Sequence, residues 1–168
     1  VTIAGMRSLI ASLVLLAFLR RPRLNFSFPQ LAAAVANAAT MLLFISANKT
    51  TTAANAILLQ YIAPVFTAFI GALILKERPG IEHWVSIMFV AFGLFVMFVD
   101  EIGGGRMFGN MLGLASAVTF SFYFIFLRMQ KYGSPYESVL LSHWITAVVC
   151  LVVSFFLPVP AVTRESVF

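Results

Sequence analysis

Charged side chains are scarce in this chain: of 168 residues, 11 are Lys or Arg and 6 are Asp or Glu, about 10% in all. Soluble domains carry about 25%. With 61% hydrophobic residues and a mean hydropathy of +1.00, too little polar surface remains to clothe a water-soluble globule of this size. The shortage excludes a soluble domain and makes the bilayer the fitting solvent. Cysteine is almost missing as well. Cys150 stands alone, which excludes an intrachain disulfide and a multi-cysteine metal site. Its apolar neighbours Val149 and Leu151 mark it as a packing residue.

Histidine is just as rare. His83 and His143 lie far apart and form no H-E-x-x-H pair, the spacing that places two imidazoles and a general base on one zinc. Serines are plentiful, but none sits in a recognisable nucleophile elbow with a base in reach. No metal or cofactor is expected. The net charge of +5 would suit nucleic acid only as a basic patch on a folded face. Here the basic residues punctuate apolar runs instead, so no nucleic-acid partner is expected.

What is abundant is apolar sequence in membrane-length runs. Six are read, at roughly 2–19, 29–47, 51–75, 82–99, 107–128 and 137–157, each near the length that crosses the hydrocarbon core. Inside lipid the backbone must satisfy its own hydrogen bonds, so these runs are predicted to be helices. Ser27-Phe28-Pro29-Gln30 and Ser134-Pro135-Tyr136-Glu137 have the spacing of a capping box, and Pro158 and Pro160 stop the last run. The fold class is therefore an all-α polytopic membrane protein with six transmembrane helices, joined by short loops that make neighbours antiparallel. No cleavable signal peptide is visible. Val1 opens directly into an apolar run, so the chain reads as a piece of a longer protein.

Arg20, Arg21 and Arg23 follow the first run, Lys76 and Arg78 the third, and Arg128 and Lys131 the fifth. The alternate loops hold Lys49, Arg106 and Arg164, with acidic Asp100 and Glu101 beside them. By the positive-inside rule the loops at 20–28, 76–81 and 128–136 are cytoplasmic, and the cell (inner) membrane is the expected location. His83 and Trp84, at the start of the fourth run, read as an interfacial anchor.

Helical spacing sorts each run into two faces. On the third, Ala53, Ala56, Gln60, Pro64, Thr67 and Gly71 share one side, opposite Leu58, Ile62, Phe66, Phe69 and Leu73. On the fifth, Gly109, Gly113, Ser116, Thr119 and Tyr123 line an arc opposed by Met111, Leu114, Val118, Phe122 and Ile125. On the second, Gln30, Ala33, Asn37, Thr40 and Asn48 align. Small and polar residues suit helix contacts or a cavity, and large apolar ones suit lipid. Gly109 and Gly113 read first as close-packing positions. Pro64 removes a donor, frees the Gln60 carbonyl near mid-span and bends the helix, and interrupted helices at that depth are a feature of carrier binding sites. Gln60, Tyr61, Asn37 and Thr119 are thus expected around a central polar cavity near Pro64, with Thr67, Ser116 and Tyr123 as further candidates. Arg7 reads either as a snorkelling or structurally paired side chain or as a contact for an anionic solute. His143 reads as a packing residue.

The stretch AANAILLQYIAPVFTAFIGALILKERPGIEHWVSIMFVAFGLFVMF, from Ala53 to Phe98, resembles the EamA domain of the drug/metabolite transporter superfamily. The likeness lies in its small residues, its mid-helix proline, its Lys76-Glu77-Arg78 exit and the Gly-containing apolar run around Gly93. Arg7 in MRSLIASLVLL is similar to the arginine that opens the family's second helix. Gly109 to Lys131 resembles the first helix of its second repeat. The resemblance implies a ten-helix carrier of two five-helix inverted repeats. Residues 1–99 would be helices two to five of the first repeat, without its first helix, and 107–168 the first two helices of the second. The junction would fall at Asp100–Arg106, and the piece would not transport alone.

The expected function is alternating-access movement of small metabolites or drugs across the membrane, with export as the direction. Its partners would be the lipid bilayer, a small-molecule solute, the missing helices and a second copy in a homodimer. The competing classes are an intramembrane enzyme and a membrane ligand-binding or assembly protein. All six acidic residues, Glu77, Glu82, Asp100, Glu101, Glu137 and Glu165, fall at span ends or in loops. Any proton coupling is therefore expected not to use a mid-membrane carboxylate of these spans. The orientation is tested with Arg21→Cys in intact cells. An impermeant thiol reagent applied outside should leave it unlabelled until the membrane is opened, and strong labelling from outside would invert the topology.

Overall fold

The computed structural model describes residues 2–19, 22, 24–76, 80–99, 107–130 and 135–156. Seven helices run through them: α1 Thr2–Leu19, α2 Phe28–Thr50, α3 Ala53–Gln60, α4 Ala63–Ile74, α5 Ile81–Val99, α6 Met107–Met129 and α7 Pro135–Phe156. Among the described residues there is no strand. The all-α reading holds, and five of the six apolar runs are single helices. The third is two. Phe28–Thr50, Ala53–Ile74, Met107–Met129 and Pro135–Val153 are long and apolar enough to cross a membrane, while Gly5–Leu19 and Trp84–Gly93 are shorter apolar stretches. Ser134, the basic residues 20, 21, 23, 78 and 131, the junction 100–106 and the prolines at 158 and 160 lie outside the described residues.

The expected capping box at Ser27 does not form. Ser27 is the N-cap of α2 with extended backbone (φ −64°, ψ 151°), but its hydroxyl makes no cap bond. Gln30 Oε1 instead accepts from the N–H of Phe26 at 2.8 Å, while its Nε2 points 3.5 Å away to Glu137 Oε2 on α7. An interhelical partner outweighs the local cap, because a polar side chain left bare in an apolar bundle is costly. Pro29 in the first turn removes a donor that had no helical acceptor anyway. A cap that does form is Thr52, whose side chain accepts from Asn55 N at 3.2 Å. α4 ends with Lys76 at φ 54°, the left-handed step that commonly closes a helix.

The helices touch in the order α1–α7–α2–α6–α4, with α3 also on α6 and α5 resting chiefly on α4. Residue pairings give their directions. Gly5 meets Cys150 and Phe18 meets Tyr136, so α1 and α7 are antiparallel. Gln30 with Glu137 and Asn37 with Ser142 make α2 and α7 parallel. Thr40 with Thr119 and Thr51 with Asn110 make α2 and α6 antiparallel. These are the directions that successive spans joined by short loops must take.

The broadest contact is α2 on α6. Ala33, Ala34, Ala36, Ala38 and Ala47 of α2 are buried, and Tyr123 of α6 packs onto Ala33 and Ala36, flanked by Phe120, Phe122, Phe126 and Leu127. Small side chains bring the two backbones together, the usual source of van der Waals attraction where lipid offers no hydrophobic drive. At Gly109 the approach is closest: an added Cβ would lie 2.7 Å from Thr50 C, Thr51 N and Thr51 Cβ. At Gly113 it would lie 2.9 Å from Leu59 Cδ1. Both glycines are therefore close-packing positions.

One expected face is corrected. Ile125 was read as lipid-facing, but it is fully buried. Gly109, Gly113, Ser116 and Tyr123 of the expected inward arc are buried, and the buried face of α6 is wider than that arc, taking in Ala117, Ser121 and Ile125 as well. Gly109→Ala should cost about 1–3 kcal/mol, since the blocking atoms are mostly backbone. Gly93→Ala, where an added methyl meets nothing within 4 Å, should stabilise slightly through helix propensity. Denaturation of both variants in mixed micelles measures the difference, and equal midpoints would refute the close approach.

Candidate functional site

The site is built around the break between α3 and α4. Pro64 has no N–H to return to the Gln60 carbonyl, and its ring resists a regular helix through that carbonyl. The chain crosses the gap by tightened turns: Tyr61 N bonds Leu58 O at 3.1 Å and Ile57 O at 3.2 Å, Ile62 N bonds Leu59 O at 3.2 Å, and Val65 N bonds Ile62 O at 2.9 Å. The bend expected in one continuous span is thus a full interruption. α6 braces it. Ser121 Oγ, fully buried, lies 2.8 Å from Ala63 O and 2.8 Å from Ala117 O on its own helix. Thr67 Oγ1 donates to the same Ala63 carbonyl at 2.8 Å. Ser121 was missed in the polarity reading. The signal that would have found it is the small residue at every fourth position of α6.

Beside the break lies a cavity of about 760 Å³, within the usual range for small-molecule sites. Gln60, Tyr61, Pro64 and Thr67 form one wall, and Phe120, Phe124 and Arg128 of α6 form the other. Ala68, Gly71 and Ala72 of α4 line it as well. Nothing lies within 4 Å of a Cβ placed on Gly71, so the missing side chain is open space. The lining is mostly apolar with a few polar groups, the common composition of a solute pocket.

Four of the predicted site residues are therefore together, and five are elsewhere. Asn37 is buried and donates from Nδ2 to Ser142 Oγ on α7 at 2.8 Å. Thr119 stands 2.8 Å from the Thr40 hydroxyl, which is fixed in turn to Ala36 O. Ser116 is fully buried and bonds Gly113 O at 2.6 Å, and Tyr123 belongs to the α2–α6 core. Arg7 is exposed on α1, at the far end of the contact order from the cavity. His143 is buried, and its Nδ1 has no hydrogen-bond partner among the described residues. Phe120, Phe124 and Arg128 were not foreseen as site residues. Among the described residues no three His, Cys, Asp or Glu side chains converge as a metal site would require.

The model of the EamA-like transporter family matches residues 1–99, the segment that supplies α1 to α5 and with them the whole α3–α4 wall of the cavity. The chain belongs to the EamA-like transporter family. It is a multi-pass membrane protein of the drug/metabolite transporter superfamily, whose members are transporters rather than enzymes. No curated protein and no solved structure matches the chain.

The Asn37–Ser142 bond identifies Asn37 as a helix fastener. Alanine at both positions, alone and together, should reveal a coupling of about 0.6 kcal/mol and no more than about 1.7. Unfolding of the four proteins in mixed micelles measures it, and strictly additive losses would show that the bond contributes nothing.

Proposed function

We propose that this EamA-like chain carries the solute-binding wall of an alternating-access carrier, with the solute lodged in the cavity beside the α3–α4 break. The observation that carries this reading is the coincidence of the cavity with an interrupted helix. A continuous helix has no spare backbone polarity and bends only as a whole. An interrupted one offers both uncommitted carbonyls and a joint about which α4 can tilt on α6. Four neutral polar or kink-forming residues, Gln60, Tyr61, Pro64 and Thr67, line the cavity beside that joint, while Asn37, Thr40 and Thr119 are bonded between helices.

The finer assignments belong to the same proposal. The basic loops put the Arg128 end of the cavity in the cytoplasm of a cell or inner membrane, and a solute taken from that side would be exported. Residues 1–99 and 107–168 would belong to two successive inverted repeats. α5, whose Met88, Phe89, Phe92 and Phe95 are exposed, presents an apolar face suited to lipid or to a second copy. Glu137 is buried at the first turn of α7 against Gln30, at the end of its span, so the reading of transport without a mid-membrane carboxylate is kept.

Gly71→Phe puts a ring into the cavity from a position where a Cβ meets nothing within 4 Å, and Gln60→Leu removes an amide from its lining. In proteoliposomes of the full-length protein screened with a panel of radiolabelled metabolites, both should retain a native elution profile and lose about tenfold or more of the wild-type transport rate. Gly93→Phe on the exposed side of α5 is the control and should transport normally. Unchanged kinetics in Gly71→Phe would remove the cavity from the transport path.

A further inference from the structure

We infer that the cavity selects a neutral solute with a flat apolar body and a lactam-like edge, an N–H beside a carbonyl, that pairs with the side-chain amide of Gln60; the inference rests on the cavity being the solute site. Two amides of α2 are used between helices, Gln30 reaching Glu137 and Asn37 donating to Ser142. Gln60 differs. It lines the cavity, and among the described residues its side chain has no hydrogen-bond partner. An amide carries one carbonyl oxygen and two N–H donors, and leaving them bare in an apolar setting is costly. The main-chain carbonyl of the same residue lacks its helical donor as well, because Pro64 has no N–H. Thr67, further along the same wall, is already engaged, its hydroxyl donating to Ala63 O at 2.8 Å, and Tyr61 is exposed. Gln60 is the lining residue with polar capacity left for a solute.

The form of the solute follows from that pairing. A primary amide presents its oxygen and one N–H side by side. A solute with an N–H next to an acceptor makes two parallel bonds to it, as glutamine does with the edge of a base. A solute offering an acceptor alone makes one bond. One whose nitrogen carries a methyl group leaves the Gln60 oxygen unpaired, which forfeits more than the bond itself. The pairing is between neutral groups and draws on no charge elsewhere in the lining. The body of the solute lies against Phe120 and Phe124, whose rings meet edge to face with centroids 4.7 Å apart. Aromatic rings favour flat partners, offset or edge-on. Ala68, Gly71 and Ala72 bring no side chain larger than a methyl group, and nothing lies within 4 Å of a Cβ placed on Gly71, so a fused two-ring body has room.

Binding is measured on the full-length protein in phosphatidylcholine nanodiscs, against empty nanodiscs, with three neutral probes of one shape: 2-quinolone, 1-methyl-2-quinolone and quinoline. 2-Quinolone should bind about tenfold more tightly than either of the others. Gln60→Leu should bring the two quinolones within about twofold of each other. The same variant should bind 1-methyl-2-quinolone within about threefold of wild type, which shows the cavity intact and the pairing alone removed. Equal binding of the two quinolones by the wild-type protein, no 2-quinolone binding at millimolar concentration, or an unaltered preference in Gln60→Leu would overturn the inference. Loss of 1-methyl-2-quinolone binding in Gln60→Leu would assign Gln60 to the build of the cavity and overturn it too. Gly71→Leu should weaken all three probes. If it does while Gln60→Leu changes nothing, the cavity stands as the solute site and the lactam selectivity falls. If Gly71→Leu leaves all three unchanged, both readings fall together.

Discussion

At Gly109 the backbone of α6 lies so near the turn at Thr50 and Thr51 that a single methyl group would come within 2.7 Å of three atoms. That approach fixes where α2 ends, where α3 begins and how both lie against α6. Thr51 completes the clasp by setting its hydroxyl 2.8 Å from Asn110 Oδ1. From there the small residues Gly113, Ala117 and Ser121 continue the contact down α6, so that α3, the break and the start of α4 are drawn against one helix. Lipid tails are as apolar as the helices themselves, so only close dispersion contacts and polar bonds reward association. A larger residue at Gly109 would remove the condition on which the depth of the cavity depends.

The polar side chains of this bundle divide their labour by helix. α2 uses Gln30, Asn37 and Thr40 to reach α7 and α6, with partners 3.5 Å, 2.8 Å and 2.8 Å away. Each bond satisfies groups that would otherwise sit bare in an apolar setting, and each helps fix register between helices whose alanine faces could slide. On α3 and α4 the arrangement differs. Ser121 and Thr67 both turn to the Ala63 carbonyl, which steadies the break itself. Gln60 and Tyr61 are left at the cavity. A hydrogen-bonded α2–α6–α7 unit thus stands beside an interrupted span.

Membership of the EamA-like transporter family and the geometry of the break support each other at one place. The matched residues 1–99 contain the break, but the facing wall of Phe120, Phe124 and Arg128 lies beyond them. A cavity shared between the matched segment and α6 binds the two stretches of chain into one functional unit. Its lining comes from both stretches, and neither supplies it alone.

Composition pointed to the bilayer as solvent, because only 10% of the residues are charged, and apolar runs of membrane length made the spans helices. Run length determined where the helices lie, and Pro64 marked the place where one of them fails, since a missing N–H is a local property. What sequence could not determine was which polar residues meet. Asn37 and Gln60 are each an amide on an apolar helix and look alike to any periodicity, yet one ends against Ser142 of α7, over a hundred residues away, and the other at an open cavity. The same holds for α6, where the arc read from polarity is buried at Gly109, Gly113, Ser116 and Tyr123 but close approach widens it to Ile125, and Phe120, Phe124 and Arg128 line the cavity. The orientation of a helix about its axis is set by the neighbours that can come nearest, and only the tertiary structure knows which neighbours those are.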